Sequence, residues 1–501
     1  MNDGSCSFSY RLGSRFSHLL PPLVLSLAAL FAAGCGGSGG SGSGGTGSTP
    51  SGNTAVTVLA TSTANDQLVQ ISFGFTSLTL TSKSGKTVSL LTTPASEEFI
   101  HVNGTAEPLF TISIPQDIYT AATATMGEAQ FSCATLTSSG ELDNSTYAYG
   151  ATPSSQVTVN LPAPITVTGD TMGLVLNLLV SKSATFASCD PNNGSGTFSI
   201  TPTFDLTPIA FSSQPTNIEN GKLTALDGIV ASVDTAEGSF TVTTQGDGPG
   251  WHVSTSSSTV YQGISGVSAL TAGMPMDMDV IVQPDSSLLA TRVEVDNSDA
   301  TDLSVWKGPV EFVDSSEPYL FAGALEEQGF LFNSAYVLGG GPFSFGNAVF
   351  QVSGQLTNTQ SLPFSAVFTA TNVVAGQNVS VTTNSPNFGG ANPTYSPATS
   401  VTLQPQTING TVSEVSSEEG FTTYTVSLAS YDLFPDLADQ QGQTTLLTGP
   451  HSVLVYADSS TQMLNSSAIG VGGLFRFYGL VFNDNGTLRM DCAQVNDGVA
   501  E

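Results

Sequence analysis

The stretch Gly228-Ile229-Val230-Ala231-Ser232-Val233-Asp234, followed by Gly238-Ser239-Phe240-Thr241-Val242, decides the fold class. Its apolar residues alternate with small and polar ones over short runs, and Asp, Gly and Ser stand between the runs. Period-two alternation bounded by turn residues is the pattern of strands joined by tight turns. The pattern continues through Leu270-Thr271-Ala272-Gly273, Val280-Ile281-Val282 and Leu288-Leu289-Ala290-Thr291-Arg292-Val293-Glu294-Val295.

The same order returns near the C-terminus. Gly410-Thr411-Val412-Ser413-Glu414-Val415 leads through Tyr424-Thr425-Val426 to Ile469-Gly470-Val471-Gly472, then Phe475 to Val481, then Gly486-Thr487-Leu488-Arg489 to Val495. Both modules have a Gly-x-Val-x-x-Val opening, a Thr-Val strand, a Gly-bearing turn, a Val/Phe-rich strand and a hairpin into a closing strand. A third, degenerate copy lies between them. Gly308-Pro309-Val310-Glu311-Phe312-Val313 opens it, Val373 to Val381 supplies its turn and central strand, and Ala398 to Leu403 closes it. Such self-similarity marks repeated structural units. Short strands of this kind suit small closed barrels, because closure removes the exposed edges through which strands aggregate.

Toward the N-terminus the strand signals persist without the repeat. Ala55 to Ala60, Leu68 to Leu80, Val88 to Leu91, Leu109 to Ile114, Val157 to Leu161, Leu174 to Val180 and Phe198 to Phe204 are Val/Ile/Thr/Phe-rich and separated by turn residues. No long stretch carries helical periodicity with caps. The predicted architecture is all-β, an N-terminal β-sandwich followed by tandem small β-barrel-like modules. Its expected divisions are 1–34 (signal peptide with lipobox), 35–53 (lipidated Cys and Gly/Ser-rich tether), 54–212 (sandwich) and 213–224 (linker). The repeats follow at 225–298, 304–405 and 406–498.

The Gly228–Val295 module resembles the repeat family called domain of unknown function 5666, through its Gly-x-Val opening, its Gly-bearing turn and its closing Ala290-Thr291-Arg292-Val293. At the corresponding place in the last module, Met490-Asp491-Cys492-Ala493 departs from that pattern. The first domain more faintly resembles domain of unknown function 4382, through Ile114-Pro115, Ile118-Tyr119 and Ile200-Thr201-Pro202. These resemblances imply an envelope lipoprotein and carry no assigned chemistry.

The N-terminal segment gives a location. Arg11 and Arg15 precede an apolar stretch, Leu19 to Ala33, that ends in Ala32-Ala33-Gly34-Cys35. A positive region, an apolar core and small residues at a cleavage point make a secretory signal. Small residues before a cysteine resemble the lipobox of bacterial lipoproteins, which implies a diacylglyceryl group on Cys35 and cleavage in front of it. The chain would then be lipid-anchored in the cell envelope, with the outer membrane favoured because Gly36 follows the cysteine. Gly36 to Asn53 is nearly all Gly, Ser and Thr and behaves as a flexible coil. An elongated string of domains held off the membrane by this tether is the expected arrangement.

Ten basic and 40 acidic residues leave a net charge of −30, which repels nucleic acid and anionic surfaces. Hydrophobic residues at 40% allow folded cores rather than disorder. Beyond the signal and Cys35, three cysteines remain. Cys133 and Cys189 fall in one domain and are candidates for a disulfide in an oxidising compartment. Cys492, in strand-like surroundings, is read as buried rather than reactive.

No catalytic constellation stands out. The histidines beyond the signal, His101, His252 and His451, fall in three different modules without metal-ligand spacing. Gly36-Gly37-Ser38-Gly39-Gly40 has the letters of a nucleophile elbow but lies in the tether, and Gly339-Gly340-Gly341 lacks the Lys of a phosphate loop. Among the carboxylates, Glu97-Glu98, Glu326-Glu327, Asp277 with Asp279, and Asp484 are the candidates for glycoside or calcium chemistry. Asp277 and Asp279 alternate with Met276, Met278 and Val280, which reads as the solvated face of a barrel. Asn483-Asp484-Asn485-Gly486 reads as a hairpin turn. Trp251 and Trp306, with Tyr261 and Tyr319, sit near expected turns, where they either stack on a sugar ring or cover barrel ends. Phe475, Phe477 and Phe482 are core by alternation.

The sequence thus predicts an envelope lipoprotein with a non-enzymatic binding or scaffolding role, no metal site and no cofactor. Its partners would be the membrane, through the lipid, and a polysaccharide or another envelope protein. A carbohydrate-binding envelope protein is the alternative. A hydrolase using paired carboxylates is the lesser one.

Overall fold

The computed structural model describes residues 52–497 apart from 64–67, 100–101, 103–104, 137–141, 151–155, 191–194, 216–217, 244–249, 284, 296–303, 315–318, 325, 330–338, 355–361, 385–394, 430–433, 435–436, 438–451 and 465–468. The fold is all-β.

The first unit comprises β1 (Asn53–Ser62), β2 (Leu68–Ser82), β3 (Thr87–Ser89), β4 (Ala95–Glu98), β5 (Glu107–Pro115), β6 (Ile118–Leu136) and β7 (Leu142–Gly150). It continues with β8 (Gln156–Asn160), β9 (Ile165–Thr166), β10 (Thr171–Leu178), a single helical turn (Val180–Ser183), the hairpin β11 (Ala184–Asp190) and β12 (Ser195–Ile200), and β13 (Phe204–Ile209). Apart from that hairpin, the strands form one sheet in the order β3-β2-β6-β8-β13-β10-β1-β5, with β4 on β2 and β7 and β9 on β6.

The two layers of this sandwich are therefore continuous. They join where β8 runs parallel to β13, at Phe204↔Val159 and Asp205↔Asn160. Folded over, the sheet encloses one core, with Val56, Val58, Leu174 and Leu176 on one side and Phe73, Phe75, Ala122 and Ala124 on the other. The Phe73, Phe75, Phe99 and Phe204 rings meet at centroid distances of 5.6 to 6.3 Å. The expected single run Phe198–Phe204 is broken at residues 201–203, where Pro202 has no N–H for a ladder.

Three barrels follow. The first has β14 (Lys222–Asp234), β15 (Ser239–Thr243), β16 (Trp251–Ser254), β17 (Val260–Gln262), β18 (Pro275–Val282) and β19 (Leu288–Glu294). The second has β20 (Ser304–Asp314), β21 (Tyr319–Ala324), β22 (Glu326–Gly329), β23 (Gly339–Ser344), β24 (Val349–Val352), β25 (Asn378–Thr383) and β26 (Ser396–Leu403). The third has β27 (Gln406–Glu418), β28 (Phe421–Leu428), β29 (Ser452–Ala457), β30 (Gln462–Leu464), β31 (Leu474–Asp484) and β32 (Thr487–Asp497).

All three close in the same way. In the first, β14 pairs β15, β15 pairs β16, β16 runs parallel to β19, β19 pairs β18, and β18 returns to β14. The second repeats this with β20-β21-β23-β26-β25, and the third with β27-β28-β29-β32-β31, each closed by one parallel pair. Numbered within a barrel, the order is 1-2-3-5-4-1, that of the OB-fold. A short extra strand, β17, β24 or β30, lies parallel to the last strand of each.

The Gly-x-Val-x-x-Val motif now has a physical reading. The two positions between the valines contain one residue more than strict alternation allows, and each opening strand carries a bulge there: at Val230/Ser232, Val310/Phe312 and Val412/Glu414. Val230, Val310 and Val412 are buried. Each accepts the N–H of the glycine in the later turn, Gly273 at 2.7 Å, Gly376 at 2.8 Å and Gly472 at 2.8 Å. Those glycines have φ of 91°, 90° and 86°, a conformation that side-chain-bearing residues rarely adopt.

Candidate functional site

Charged and aromatic side chains on the outer barrel faces collect where one unit meets the next. On β18, Met276, Met278 and Val280 point into the first barrel, so Asp277 and Asp279 point outward as alternation requires. They are not solvated, however: Asp277 is 3% exposed and Asp279 6%. The expectation of a solvated face is corrected by what covers it. Lys307 of the second barrel hydrogen-bonds Asp277. Asp279 lies 3.8 Å from the guanidinium of Arg292, its cross-strand partner on β19. Glu294, opposite Asp277, accepts from the Ser353 hydroxyl at 3.1 Å and the Gly354 N–H at 3.0 Å. Gly354 approaches so closely that a Cβ there would stand 1.6 Å from Gln262 Oε1. Asp277 and Glu294 thus join the first barrel to the second, while Asp279 is held within the first.

The second seam is aromatic and ionic. By the same alternation that points Phe475, Phe477 and Val481 into the third barrel, β31 turns Leu480 and Phe482 away from that barrel's own core and into the core cluster of the second. Phe482 is thus buried as expected, but in the seam, whereas Phe475 and Phe477 line the barrel interior. The Phe364 ring of the second barrel lies 4.9 Å from Tyr456 and 5.8 Å from Phe482. Arg489 stacks on both Phe364 and Tyr456, at 5.6 and 5.7 Å from the ring centroids. It also pairs with Asp484 at 2.9 Å and donates to the Tyr456 hydroxyl. Tyr456 in turn donates to Glu418 at 2.9 Å. Burial, with that hydrogen bond, pushes the phenol up to about 12, so it stays a donor. Gln377 donates its amide to the Val481 carbonyl at 2.8 Å across the same seam.

A third meeting place is a cavity of about 40 Å³ lined by Thr61 and Ser62 of the sandwich, Ile218, and Thr407, Arg476, Tyr478 and Gln494 of the last barrel. The sandwich also shares a core with the first barrel, through Leu59, Val175, Ile209, Leu223 and Val282. The units are therefore not strung out as expected, since the last barrel returns to the first unit.

The sequence-predicted site residues fare differently. Cys35 lies outside the described residues. Cys133 falls in β6 and Cys189 in β11, with side chains outside the described set. Trp251 is half-buried at the start of β16, opposite inward-facing Val242, and packs on the barrel core. Trp306 is 6% exposed, with its ring 6.1 Å from Phe343. A ring so enclosed offers no face to a sugar, which corrects its assignment as a stacking residue. The two tryptophans belong to separate cores and form no common site. Tyr261 packs on the first core, and the side chain of Tyr319 is not described.

His252 is exposed, while His101 and His451 lie outside the described residues. Glu97 is buried at 3% exposure. The side chains of Glu98, Glu326 and Glu327 are not described. Asn485 and Gly486, with φ of 54° and 91°, form the two-residue hairpin turn expected there. Cys492 points into the third core, its Sγ 3.3 Å from the Gln494 carbonyl, and burial raises its thiol far above the reactive range. Among the described residues, no group of three or more His, Cys, Asp or Glu could hold a metal ion, and no helix is long and apolar enough to cross a membrane.

Sequence reasoning missed Lys307, Glu294, Phe364 and Tyr456. Lys307 left one signal, being a rare cation placed mid-strand in a chain with only ten.

Strand order and seams together define a protein of tandem OB-type barrels behind a folded-over β-sandwich. More particularly, residues 227–294, the first barrel, match the family described as Domain of unknown function (DUF5666). No curated protein matches the chain. Among solved structures, "drosophila Unr CSD456" overlaps 55% of this chain and 98% of its own length, at 12% identity and a TM-score of 0.13. A score that low carries no argument, and the fold assignment rests on the strand order.

Proposed function

We propose that this chain is an exported cell-envelope lipoprotein, anchored through Cys35 and acting as a non-enzymatic scaffold that presents a surface to a polysaccharide or another envelope protein. The observation that carries the scaffold reading is the use made of the charged side chains. Asp277, Glu294 and Lys307, buried polar groups of the kind that elsewhere perform chemistry, fasten consecutive barrels to one another. The outward positions of β15 and β16, the face on which OB-folds often hold ligands, carry Thr241, Thr243, His252 and Ser254. Hydroxyls and one imidazole suit weak, polar surface contacts.

The anchor rests on Ala32-Ala33-Gly34-Cys35 and the Gly/Ser-rich tether. The fainter likeness of the sandwich to domain of unknown function 4382 belongs to the same reading. Cys35→Ala should abolish acylation and move the protein from the membrane to the soluble fraction, and globomycin should make the unprocessed lipidated form accumulate. A wild-type mature N-terminus that mass spectrometry finds unacylated would refute the anchor and leave the scaffold reading to be judged separately.

A further inference from the structure

One polar group in the second seam lacks a partner. Asp491 stands on the outer face of β32, level with Tyr456 of β29 and two residues beyond Arg489. It is 3% exposed, and its Oδ2 has no hydrogen bond. The neighbouring cation is committed elsewhere, since Arg489 pairs with Asp484, donates to Tyr456 and stacks on Phe364. The other charge bearing on the site is the Asp458 carboxylate, just past β29.

The titratable and charged groups around it can be named element by element. Among the described residues they are Glu418 on β27, held by Tyr456; Tyr456 and Asp458 on and after β29; Asp484 at the end of β31; and Arg489 and Cys492 on β32. From the second barrel the described segment packed here contributes Phe364 and Gln377, neither of which ionises. A buried carboxyl under the influence of a second carboxylate, with the neighbouring guanidinium engaged, is far easier to bury with a proton than without one.

We propose that Asp491, with Asp458, makes the seam between the second and third barrels a proton-operated latch, closed while Asp491 holds a proton and loosened when it ionises. Burial, and then the charge of Asp458, push the Asp491 carboxyl up to about 7. With the seam open it would titrate as an ordinary aspartate, near 4. The closed form binds the extra proton between these limits, so closure weakens as pH rises, about tenfold per pH unit for one proton, and levels off above about 7.

Amide hydrogen exchange of the intact chain tests this. The Val374 N–H donates to Gln377 Oε1, and Gln377 is itself held by Val481, so this amide reports the seam. The Val230 amide, bonded to Met274 within the first barrel, is the control. After correction for intrinsic exchange, opening at Val374 should rise about tenfold per pH unit between pH 5 and 7 and then flatten. Asp491→Asn, neutral at every pH, should abolish that slope, and Asp458→Asn should bring the plateau to lower pH. A flat wild-type profile, an Asp491→Asn profile that keeps the slope, or an equal slope at Val230 would each overturn the latch.

Discussion

At the scale of single residues, the glycines of the opening motif show how a repeat survives in diverged sequence. A Cβ on Gly410 would stand 2.3 Å from the Ser427 carbonyl, and one on Gly228 would stand 2.1 Å from Val242 Cγ1. Both distances are sub-van der Waals, so the paired strand's backbone at Ser427, or the side chain of Val242, has to shift. Gly410→Ala should destabilise the fold by about 1–3 kcal/mol in urea unfolding, as overpacking does elsewhere. Gly228→Ala should cost less, because a valine methyl yields more readily than a backbone oxygen. These glycines and the bulge valines were legible in the sequence, since local geometry alone demands them. So was the Asn485-Gly486 turn, whose positive φ values call for those residue types. The fate of Asp277 and Trp306 was not legible. Alternation assigns a side chain to a face, but what covers that face is decided by residues far along the chain.

At the scale of elements, β6 is the instructive miss. Its inward positions include Ala122, Ala124 and Met126, so hydrophobic alternation written in alanine, against threonine on the other side, passes below the contrast that marks β1 or β2. The continuity of the sandwich was equally hidden, because it depends on a two-residue parallel bridge between β8 and β13. The seam between β18 and β20 makes a sharper prediction. The Lys307 and Asp277 side chains are 11% and 4% exposed, so their charges are little screened. Lys307→Met should cost about 3 kcal/mol or more by leaving carboxylates buried beside an apolar chain. Adding Asp277→Asn should restore most of that loss, because removing both charges lifts the desolvation penalty that removing one exposes. A double-mutant cycle by urea denaturation reads the coupling directly.

At the scale of the whole molecule, charged and aromatic seams join similar barrels to one another, rather than leaving them as beads on a thread. The chain contains two tryptophans, and they fall in neighbouring barrels, Trp251 in the first and Trp306 in the second. Single-tryptophan variants, Trp306→Phe and Trp251→Phe, therefore let fluorescence follow each barrel separately. Cooperative coupling across the seam predicts that the two probes report one urea transition with a common midpoint, and that Lys307→Met splits it in two. Two well-separated midpoints in the presence of an intact Lys307–Asp277 pair would contradict the account.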